Sequence, residues 1–201
     1  MNEYKEKLAN QINKVRFLDI YMEGHKGFIA GGCFKNIFNN EKIKDIDMFF
    51  ECEKDFDEAE EYFSENEEYV FSYENKNTKA FKNKKTNIRV ELVRNTFGTP
   101  EELLNKFDFS ITKFAYCKRE TLGKDGVEYY CLYHVDFFEH LLLKKLVLEP
   151  DILFPVSTFE RSYRYRGYGY GLCKESKANL LNALQGADTT NLSNELYFGL
   201  D

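Results

Sequence analysis

Two aspartates separated by one residue, Asp45 and Asp47, form the pair of side chains whose spacing points most directly to chemistry. They lie in an apolar stretch, DIDMFF, that is typical of a β-strand. Side chains alternate between the two faces of a strand, so both carboxylates point to one face and Ile46 points to the other. Two carboxylates this close repel each other unless a cation lies between them or one is protonated. Hard oxygen ligands at this spacing suit Mg²⁺, which takes further ligands from water and from substrate phosphates.

A pair of glycines, Gly31 and Gly32, precedes the aspartates and indicates a place for such a phosphate. The pair follows a short apolar strand at residues 27–30 and precedes a predicted helix. Glycines let the backbone approach a phosphate closely, and the first turn of the helix directs N–H groups toward it. Lys35, on that first turn, adds a positive charge. Together these features predict a site for a metal ion and a nucleotide phosphate.

Periodicity places these motifs among alternating helices and strands. Apolar residues at helical spacing (Leu8, Ile12, Val15, Leu18) predict an amphipathic α-helix over residues 3–23. Predicted strands cover residues 27–30, 45–51, 69–74, 77–83, 87–94, 109–117 and 127–133. Predicted helices cover residues 33–40, 56–66, 101–107, 136–148, 157–167 and 177–185. We therefore expect an α/β (α+β) fold with a mixed sheet flanked by helices: a head domain at residues 1–135 and a small helical C-terminal segment at residues 136–201, packed on the head.

The net charge of −6 conceals a strong local imbalance. Residues 51–69 contain ten acidic residues and one lysine, whereas residues 76–94 contain seven basic residues and one acidic residue. Solvated surface charge explains the acidic run. The basic run, and a second one at residues 159–177, leave two interpretations open: solvated surface, or one face for a phosphate-bearing partner.

Composition narrows the class of protein. A chain of 201 residues is long enough for one full core, or for a core with a small helical appendage. No apolar run approaches the length of about 18 residues that indicates a membrane span, and the charged start of the chain does not resemble a signal peptide. Five scattered cysteines without CxxC spacing predict neither a zinc site nor a disulfide framework. We therefore expect a cytoplasmic protein with no membrane partner.

The stretch GGCFKNIFNNEKIKDIDMFFE, residues 31–51, resembles the head-domain signature of the DNA polymerase beta type nucleotidyltransferase superfamily. It is most similar to the pattern of CCA-adding enzymes and poly(A) polymerases, although Lys35 and Asn36 stand where that pattern usually has Arg and Asp. Downstream, RVELV and TPEELLNKFDFSITKFAY resemble small stand-alone nucleotidyltransferase-like proteins of phages and large DNA viruses. The run STFERSYRYRGYGYGL is similar to the Arg-rich helix that often follows there. The residues that match the signature are Gly31, Gly32, Lys35, Asn36, Asp45 and Asp47.

The resemblance implies two-metal nucleotidyl transfer, in which an NMP moves from an NTP such as ATP to an acceptor hydroxyl. The acceptor would be an RNA 3′ end, a protein or a small molecule. Asp45 and Asp47 would hold two Mg²⁺ ions, or Mn²⁺ in their place, one activating the acceptor oxygen and the other neutralising the triphosphate.

The superfamily usually supplies a third carboxylate from a later strand, and two residues here compete for that role. Glu91 in RVELV is the first candidate, because the strand period puts it on the face opposite Val90 and Leu92. A simple ion pair with a neighbouring arginine, Arg89 or Arg94, is the alternative interpretation of Glu91. Asp108 is the second candidate, either in the nucleotide site or as a cap for the turn after the helix at residues 101–107.

Arg161 and Arg164 lie in a run of arginines and tyrosines and share one face of a predicted helix. Arginine beside aromatic rings can stack on a base and grip phosphates, so we expect both to contact the triphosphate or the acceptor phosphates, with Lys35 opposite. The alternative is that the tyrosines pack this helix onto the core while the arginines are solvated.

Three functions remain open from the sequence. The first is an active nucleotidyltransferase, favoured by Asp45, Asp47 and Glu91. The second is a binding or regulatory protein of this fold that has lost turnover, for instance a phage-encoded inhibitor of a host system, favoured by the departures at Lys35 and Asn36. The third is an unrelated α+β protein in which the Asp-x-Asp pair is incidental. Convergence of the three carboxylates beside Gly31 would exclude the third.

Overall fold

The computed structural model describes residues 10–120 and 126–187. The chain divides into two compact units. The first, called the sheet unit below, comprises the residues up to Leu103 and Ala115–Leu132; the second, called the helical unit, comprises Leu104–Phe114 and the chain from Tyr133 onward. The helical unit thus contains an internal segment as well as the C-terminal part of the chain, while the packing of residues 136–201 on a head domain stays a prediction.

The sheet unit is built on a seven-stranded mixed sheet, so the α/β architecture expected from the sequence is confirmed. The strand order is β3-β4-β5-β2-β1-β6-β7. Strand β2 pairs parallel with β5 and antiparallel with β1, and β1 pairs antiparallel with β6. The strands are β1 Phe28–Ala30, β2 Asp45–Phe50, β3 Tyr69–Glu74, β4 Thr78–Asn83, β5 Arg89–Phe97, β6 Phe114–Glu120 and β7 Val127–Tyr133.

Six α-helices follow the N-terminal helix within the described residues. They are α1 Cys33–Phe38, α2 Glu53–Glu65, α3 Pro100–Lys106, α4 Phe137–Leu142, α5 Pro155–Gly167 and α6 Lys174–Gln185. In the helical unit, two short parallel strands, β8 Lys145–Leu146 and β9 Gly171–Leu172, join the chain before α5 to the chain after it. No helix in the described ranges has both the length and the apolar character needed to cross a bilayer.

The N-terminal helix differs in type from the predicted α-helix. Residues 10–12 are α-helical and Asn13–Tyr21 form a 3-10 helix, whereas residues 3–9 of the prediction lie outside the described residues. The buried side chains of the 3-10 helix are Val15, Leu18 and Tyr21. These three recur every third residue, which is the repeat of a 3-10 helix, so the burial pattern favours the tighter winding.

Two further elements differ from their predicted bounds by five residues or more at one end. The helix expected over residues 136–148 ends at Leu142, because Lys144 adopts a φ of +54°, which a right-handed helix cannot contain. The strand expected over residues 109–117 begins only at Phe114. Before it, Ser110–Thr112 form a 3-10 turn that is closed by a 2.8 Å hydrogen bond from the Thr112 hydroxyl to the Phe109 carbonyl.

The acidic and basic segments of the sequence pair with each other inside the sheet unit. Lys79 on β4 forms an ion pair with Glu60 on α2, and Lys85 forms one with Glu68. Lys84 donates a 2.5 Å hydrogen bond to the carbonyl of Glu67. Part of the charge imbalance along the sequence is therefore balanced locally in the fold.

Candidate active site

Three carboxylates share one face of the sheet where β2 and β5 run side by side. Asp45 and Asp47 lie on β2, and the Ile46 side chain between them is fully buried on the other face. In the parallel register of the two strands, Asp47 is the partner of Glu91. Paired residues of neighbouring strands point to the same face, so Glu91 joins the two aspartates. Its neighbours Val90 and Leu92 are fully buried, as the strand pattern predicted.

A guanidinium group lies between two of these carboxylates. Arg89 is the partner of Asp45 in the same register, and its Nη2 donates to Asp45 Oδ2 at 3.0 Å. Its Nε donates to Glu91 Oε1 at 2.8 Å. The Tyr73 ring lies against the guanidinium, with 5.3 Å between the Arg89 Cζ and the ring centroid. The ion pair that was the alternative interpretation of Glu91 is thus present, and Arg89 bridges Glu91 to Asp45 as well.

The charges of this cluster shift the pKa values of the groups beside it. Desolvation, together with the charge and the hydrogen bond of Glu91, raises the pKa of Tyr73 to about 12. Partial desolvation lowers the pKa of Arg89, but the hydrogen bond to Asp45 and the charge of Glu91 outweigh it and raise the pKa overall. Burial, reinforced by Asp47 and Asp45, raises the pKa of the Cys33 thiol well above its usual value. Tyr73 and Cys33 therefore stay protonated at neutral pH, and the cationic charge at this site is that of Arg89.

The donor chemistry of the three carboxylates fits Mg²⁺, since all three offer hard oxygen ligands from one face. The arrangement of these carboxylates in this conformation does not fit Mg²⁺, because the Arg89 guanidinium takes the position between Asp45 and Glu91. Within the described ranges, no group of three or more His, Cys, Asp or Glu side chains is placed to hold an ion. Binding of a metal at this site would require Arg89 to move, and the two-metal assignment stays a prediction.

The glycine turn lies directly after β1, at Gly31 and Gly32, and Gly31 has a φ of +97° that favours glycine. Helix α1 after the turn has six residues and ends at Phe38 rather than at Asn40. The Lys35 side chain is 5% exposed, and its Nζ lies 2.6 Å from Glu41 Oε2. Its positive charge is therefore already balanced, and its role in phosphate binding stays a prediction.

Asp108 and Arg161 form a buried ion pair in the helical unit. Arg161 Nε donates to Asp108 Oδ2 at 2.7 Å, and Nη2 donates to the same oxygen. Arg161 Nη1 also donates to Ser157 Oγ at 2.9 Å. The two charged side chains are 6% and 5% exposed, so the pair fastens the segment before β6 to helix α5. Neither interpretation of Asp108 from the sequence, as a carboxylate of the nucleotide site or as a cap, predicted Arg161 as its partner.

Arg161 and Arg164 differ in their surroundings although both lie on α5. Arg161 is buried and Arg164 is exposed, so the expected common face is divided between the interior and the surface. Contact of either residue with a substrate phosphate stays a prediction, as does the position of Lys35 opposite them.

Reasoning from the sequence named Arg89 only as an ion-pair partner of Glu91, and it missed both the bond of Arg89 to Asp45 and the presence of Tyr73. The strand period contained a signal for Arg89, because it lies two residues before Glu91 and so points to the same face. Tyr73 gave no such signal, because its contact with Arg89 depends on the order of the strands β3, β4 and β5 in the sheet.

Comparison with known proteins now adds the family. A family model described as Gad2, Gabija anti-defense 2 family protein, matches residues 2–144. A curated relative, Gabija anti-defense 2 of Bacillus phage SPbetaL7, is 25% identical over 154 residues, which are 76% of this chain and 36% of the relative. The chain thus spans little more than a third of the length of that relative.

Solved structures of tRNA-processing enzymes are similar in fold. An apo form of a tRNA-processing enzyme aligns with a TM-score of 0.60 and 17% identity, over 98% of this chain and 52% of that one. A CCA-adding enzyme in complex with CTP aligns with a TM-score of 0.60 and 16% identity, over 92% and 48% of the two chains. A tRNA nucleotidyltransferase in complex with a primer tRNA and an incoming ATP analogue gives 0.56 and 19%, over 91% and 54%. At these identities the likeness shows the fold alone, and it is the family match that identifies the chain as a member of the Gabija anti-defense 2 family.

Proposed function

We propose that this protein counteracts a host Gabija defence system by transferring an NMP from an NTP to a hydroxyl group of an acceptor. The observation that carries the proposal is the register of β2 and β5, which brings Asp45, Asp47 and Glu91 to one face of the sheet. The family to which the chain belongs supports the defence-related role, and the fold similarity to nucleotidyltransferases supports the chemistry.

In this proposal the three carboxylates would hold Mg²⁺, which when bound supplies charge neutralisation at the phosphates and activation of the acceptor oxygen. The chain's own contribution is to hold the carboxylates in place. Ile46, buried between the two aspartates, anchors β2 to the core, as Val90 and Leu92 anchor β5 around Glu91. Transfer forms a bond between the acceptor oxygen and the α-phosphorus, breaks the bond from the α-phosphorus to the bridging oxygen, and releases pyrophosphate and the proton of the acceptor hydroxyl.

The glycine turn provides the other part of the nucleotide site. Gly31 follows Ala30, which is the strand partner of Asp47, so the turn begins next to the carboxylates. The backbone at this turn carries no side chain that would keep a phosphate away. We therefore assign the triphosphate to the space between the turn and the carboxylates.

A second candidate function is inhibition of the host system by binding alone. The specific observation in its favour is that protein cations and anions are already paired at the site, Arg89 with Asp45 and Glu91, and Lys35 with Glu41. A protein that had lost turnover could retain such pairs for stability.

One experiment separates the two functions. The purified protein is incubated with Mg²⁺, each NTP labelled at the α-phosphate, and lysate or total RNA from cells that carry a Gabija system. In parallel, its ability to suppress Gabija defence is measured in cells. Asp47→Asn is the test variant, and Asp57→Asn, an exposed aspartate on α2, is the matched control.

A transferase should label one acceptor, and Asp47→Asn should lose both the label and the suppression while Asp57→Asn keeps both. Suppression that persists in Asp47→Asn, with no labelled acceptor even for the unmodified protein, would establish the binding function instead.

A further inference from the structure

Asp45, Glu91, Arg89 and Tyr73, called the Arg89 cluster here, already contain a cation where the proposed metal would bind. Two carboxylates that would ligate an ion already share the guanidinium of Arg89, at 3.0 Å from Asp45 and 2.8 Å from Glu91. A metal ion placed between these two carboxylates would lie beside the guanidinium, and the two cations would repel each other.

We infer that Arg89 is an internal counter-cation that couples metal loading to nucleotide loading: it leaves Asp45 and Glu91 when a metal–nucleotide complex arrives, and it passes to the phosphates of that complex. This inference rests on the proposed function and concerns the regulation of the same site.

The exchange is possible because the guanidinium lies at the edge of the site. The side chains of Arg89 and Asp45 are 36% and 50% exposed, so their contact can break without opening the core. The Arg89 backbone is fixed in β5 opposite Asp45, so the side chain moves while its point of attachment stays beside the carboxylates. A released guanidinium therefore remains within reach of a phosphate bound there, and its planar fork suits phosphate oxygens.

Charge explains why the exchange favours a complex over a bare ion. A divalent ion that binds alone must remove Arg89 from its carboxylates and leave the guanidinium unpaired beside a second cation. A metal–triphosphate complex brings a cation for the carboxylates and anions for the guanidinium in one step. Metal and nucleotide should therefore bind with positive coupling, and the coupling should depend on Arg89.

The test measures protein-bound Mn²⁺ by equilibrium dialysis, with and without a non-hydrolysable ATP analogue, because chelation of Mn²⁺ by the analogue itself is equal on both sides of the membrane and cancels. Two variants remove the charge of Arg89: Arg89→Ala, and Arg89→Gln, which keeps hydrogen-bond donors in case the alanine variant is unstable. Arg94→Ala is the matched control, because Arg94 is also on β5, pairs with Glu74 at 2.5 Å and lies against a ring, that of Phe56.

In the unmodified protein and in Arg94→Ala, the analogue should tighten Mn²⁺ binding by about tenfold or more. In the Arg89 variants, Mn²⁺ alone should bind about tenfold tighter than in the unmodified protein, and the analogue should add little. Unchanged Mn²⁺ affinity and unchanged coupling in the folded Arg89 variants would overturn the inference, while labelled transfer by the same protein would leave the transferase function standing.

The two remaining outcomes also decide the question. Mn²⁺ binding by the Arg89 variants but not by the unmodified protein, with or without the analogue, would show that Arg89 blocks the site permanently, which overturns both the exchange and the transferase function. Absence of Mn²⁺ binding in every form of the protein would overturn both as well, because Arg89 would then not be what excludes the ion.

Discussion

At the residue scale, each carboxylate of the site is held differently, and this determines what its removal should do. Asp45 lies at the start of β2, half exposed and paired with Arg89. The Glu91 side chain is 16% exposed and is held by Arg89. Asp108, the competing candidate for the third position, is buried in a different unit and paired with Arg161. Substitution by the amide removes the charge and keeps the size, so it separates these roles.

Asp45→Asn and Asp47→Asn should each abolish labelled NMP transfer in a purified assay, because an amide is a poor ligand for a metal that balances phosphate charge. Relief of the repulsion between the two aspartates would by itself raise the stability slightly. For Asp45, the pair with Arg89 changes this expectation, and the free energy of unfolding should fall by no more than about 1 kcal/mol, as for other exposed ion pairs. Near-normal transfer by either variant, with Asp57→Asn as the reference, would refute the two-metal proposal.

Glu91→Gln should mainly lower the transfer rate, whereas Asp108→Asn should mainly lower the stability. Glu91→Gln should lower the transfer rate about a hundredfold or more, since loss of a group that stabilises transition-state charge typically costs ~3 kcal/mol. Asp108→Asn should instead lower the free energy of unfolding by about 3–5 kcal/mol, because it leaves the buried Arg161 without a counter-charge. Urea unfolding and initial rates measure the two effects.

The double variant Asp108→Asn/Arg161→Met serves as the control for that stability effect, because removal of both charges should restore much of the lost stability. If folded Asp108→Asn lost more transfer activity than Glu91→Gln, Asp108 and not Glu91 would be the third carboxylate of the site.

At the element scale, His25 connects the N-terminal 3-10 helix to the start of β1. The distance from His25 Nε2 to the Tyr21 carbonyl is 3.1 Å, and His25 Nδ1 accepts a 3.0 Å hydrogen bond from the N–H of Gly27. The second bond requires an unprotonated Nδ1, so the ring is neutral with its proton on Nε2. Burial, and next the charge of Lys118, lower the pKa of His25 to about 4.

The stability of the protein should therefore fall as the pH is lowered from 7 to 5. An unfolded His25 takes up a proton near pH 6.5 and the folded one only near pH 4, so the unfolded state binds more protons in this window and the free energy of unfolding decreases. Of the full difference, which is about 3 kcal/mol at 1.36 kcal/mol per pKa unit, the part that falls between pH 7 and pH 5 is about 2 kcal/mol. Urea midpoints of the unmodified protein and of His25→Gln at pH 7 and pH 5 measure it. The variant should be less stable at pH 7 but show a flatter dependence; an equal slope would contradict the assignment.

Strand elements were predictable from sequence where burial alternates, as at Val90, Glu91 and Leu92. Helical elements were less so, because an i, i+3 repeat of apolar residues suits both α and 3-10 winding, and the structure has the latter at Asn13–Tyr21. The end of α4 at Leu142 was missed because a lysine with positive φ, Lys144, carries no compositional signal.

In the candidate site, the strand face of a residue was predictable from the sequence, whereas a contact between distant strands was not. The Asp-x-Asp pair and Glu91 could be assigned to strand faces by period alone. The pair of Arg89 with Glu91 was one of the interpretations open from the sequence, but its hydrogen bond to Asp45 could not be assigned, because that bond spans 44 positions and depends on the parallel register of β2 and β5.

At the scale of the whole molecule, charge bears on the nature of the acceptor. The protein carries a net charge of −6, and basic side chains of the segment at residues 76–94 are engaged with acidic ones. Each contact of such a lysine with an RNA phosphate would first have to break an internal pair. We therefore expect the acceptor of the proposed transfer to be a protein of the defence system rather than RNA.

This charge distribution predicts weak binding of tRNA. The affinity measured by fluorescence anisotropy with labelled tRNA between 50 and 200 mM salt should decrease with a logarithmic slope no steeper than about −2, because few counterions are released when few phosphates are contacted. Glu60→Gln, which frees Lys79 from its partner, should make the slope steeper by up to about 0.9, the contribution of one phosphate contact. The matched control is Glu58→Gln, whose partner Lys54 lies on the same helix and outside the basic segment.

Tight tRNA binding with a slope of about −6 would overturn the preference for a protein acceptor, because so many phosphate contacts require a continuous basic surface. A shallow slope together with a labelled protein from Gabija-bearing cells would establish that this fold, which other proteins use on tRNA, acts here on a protein.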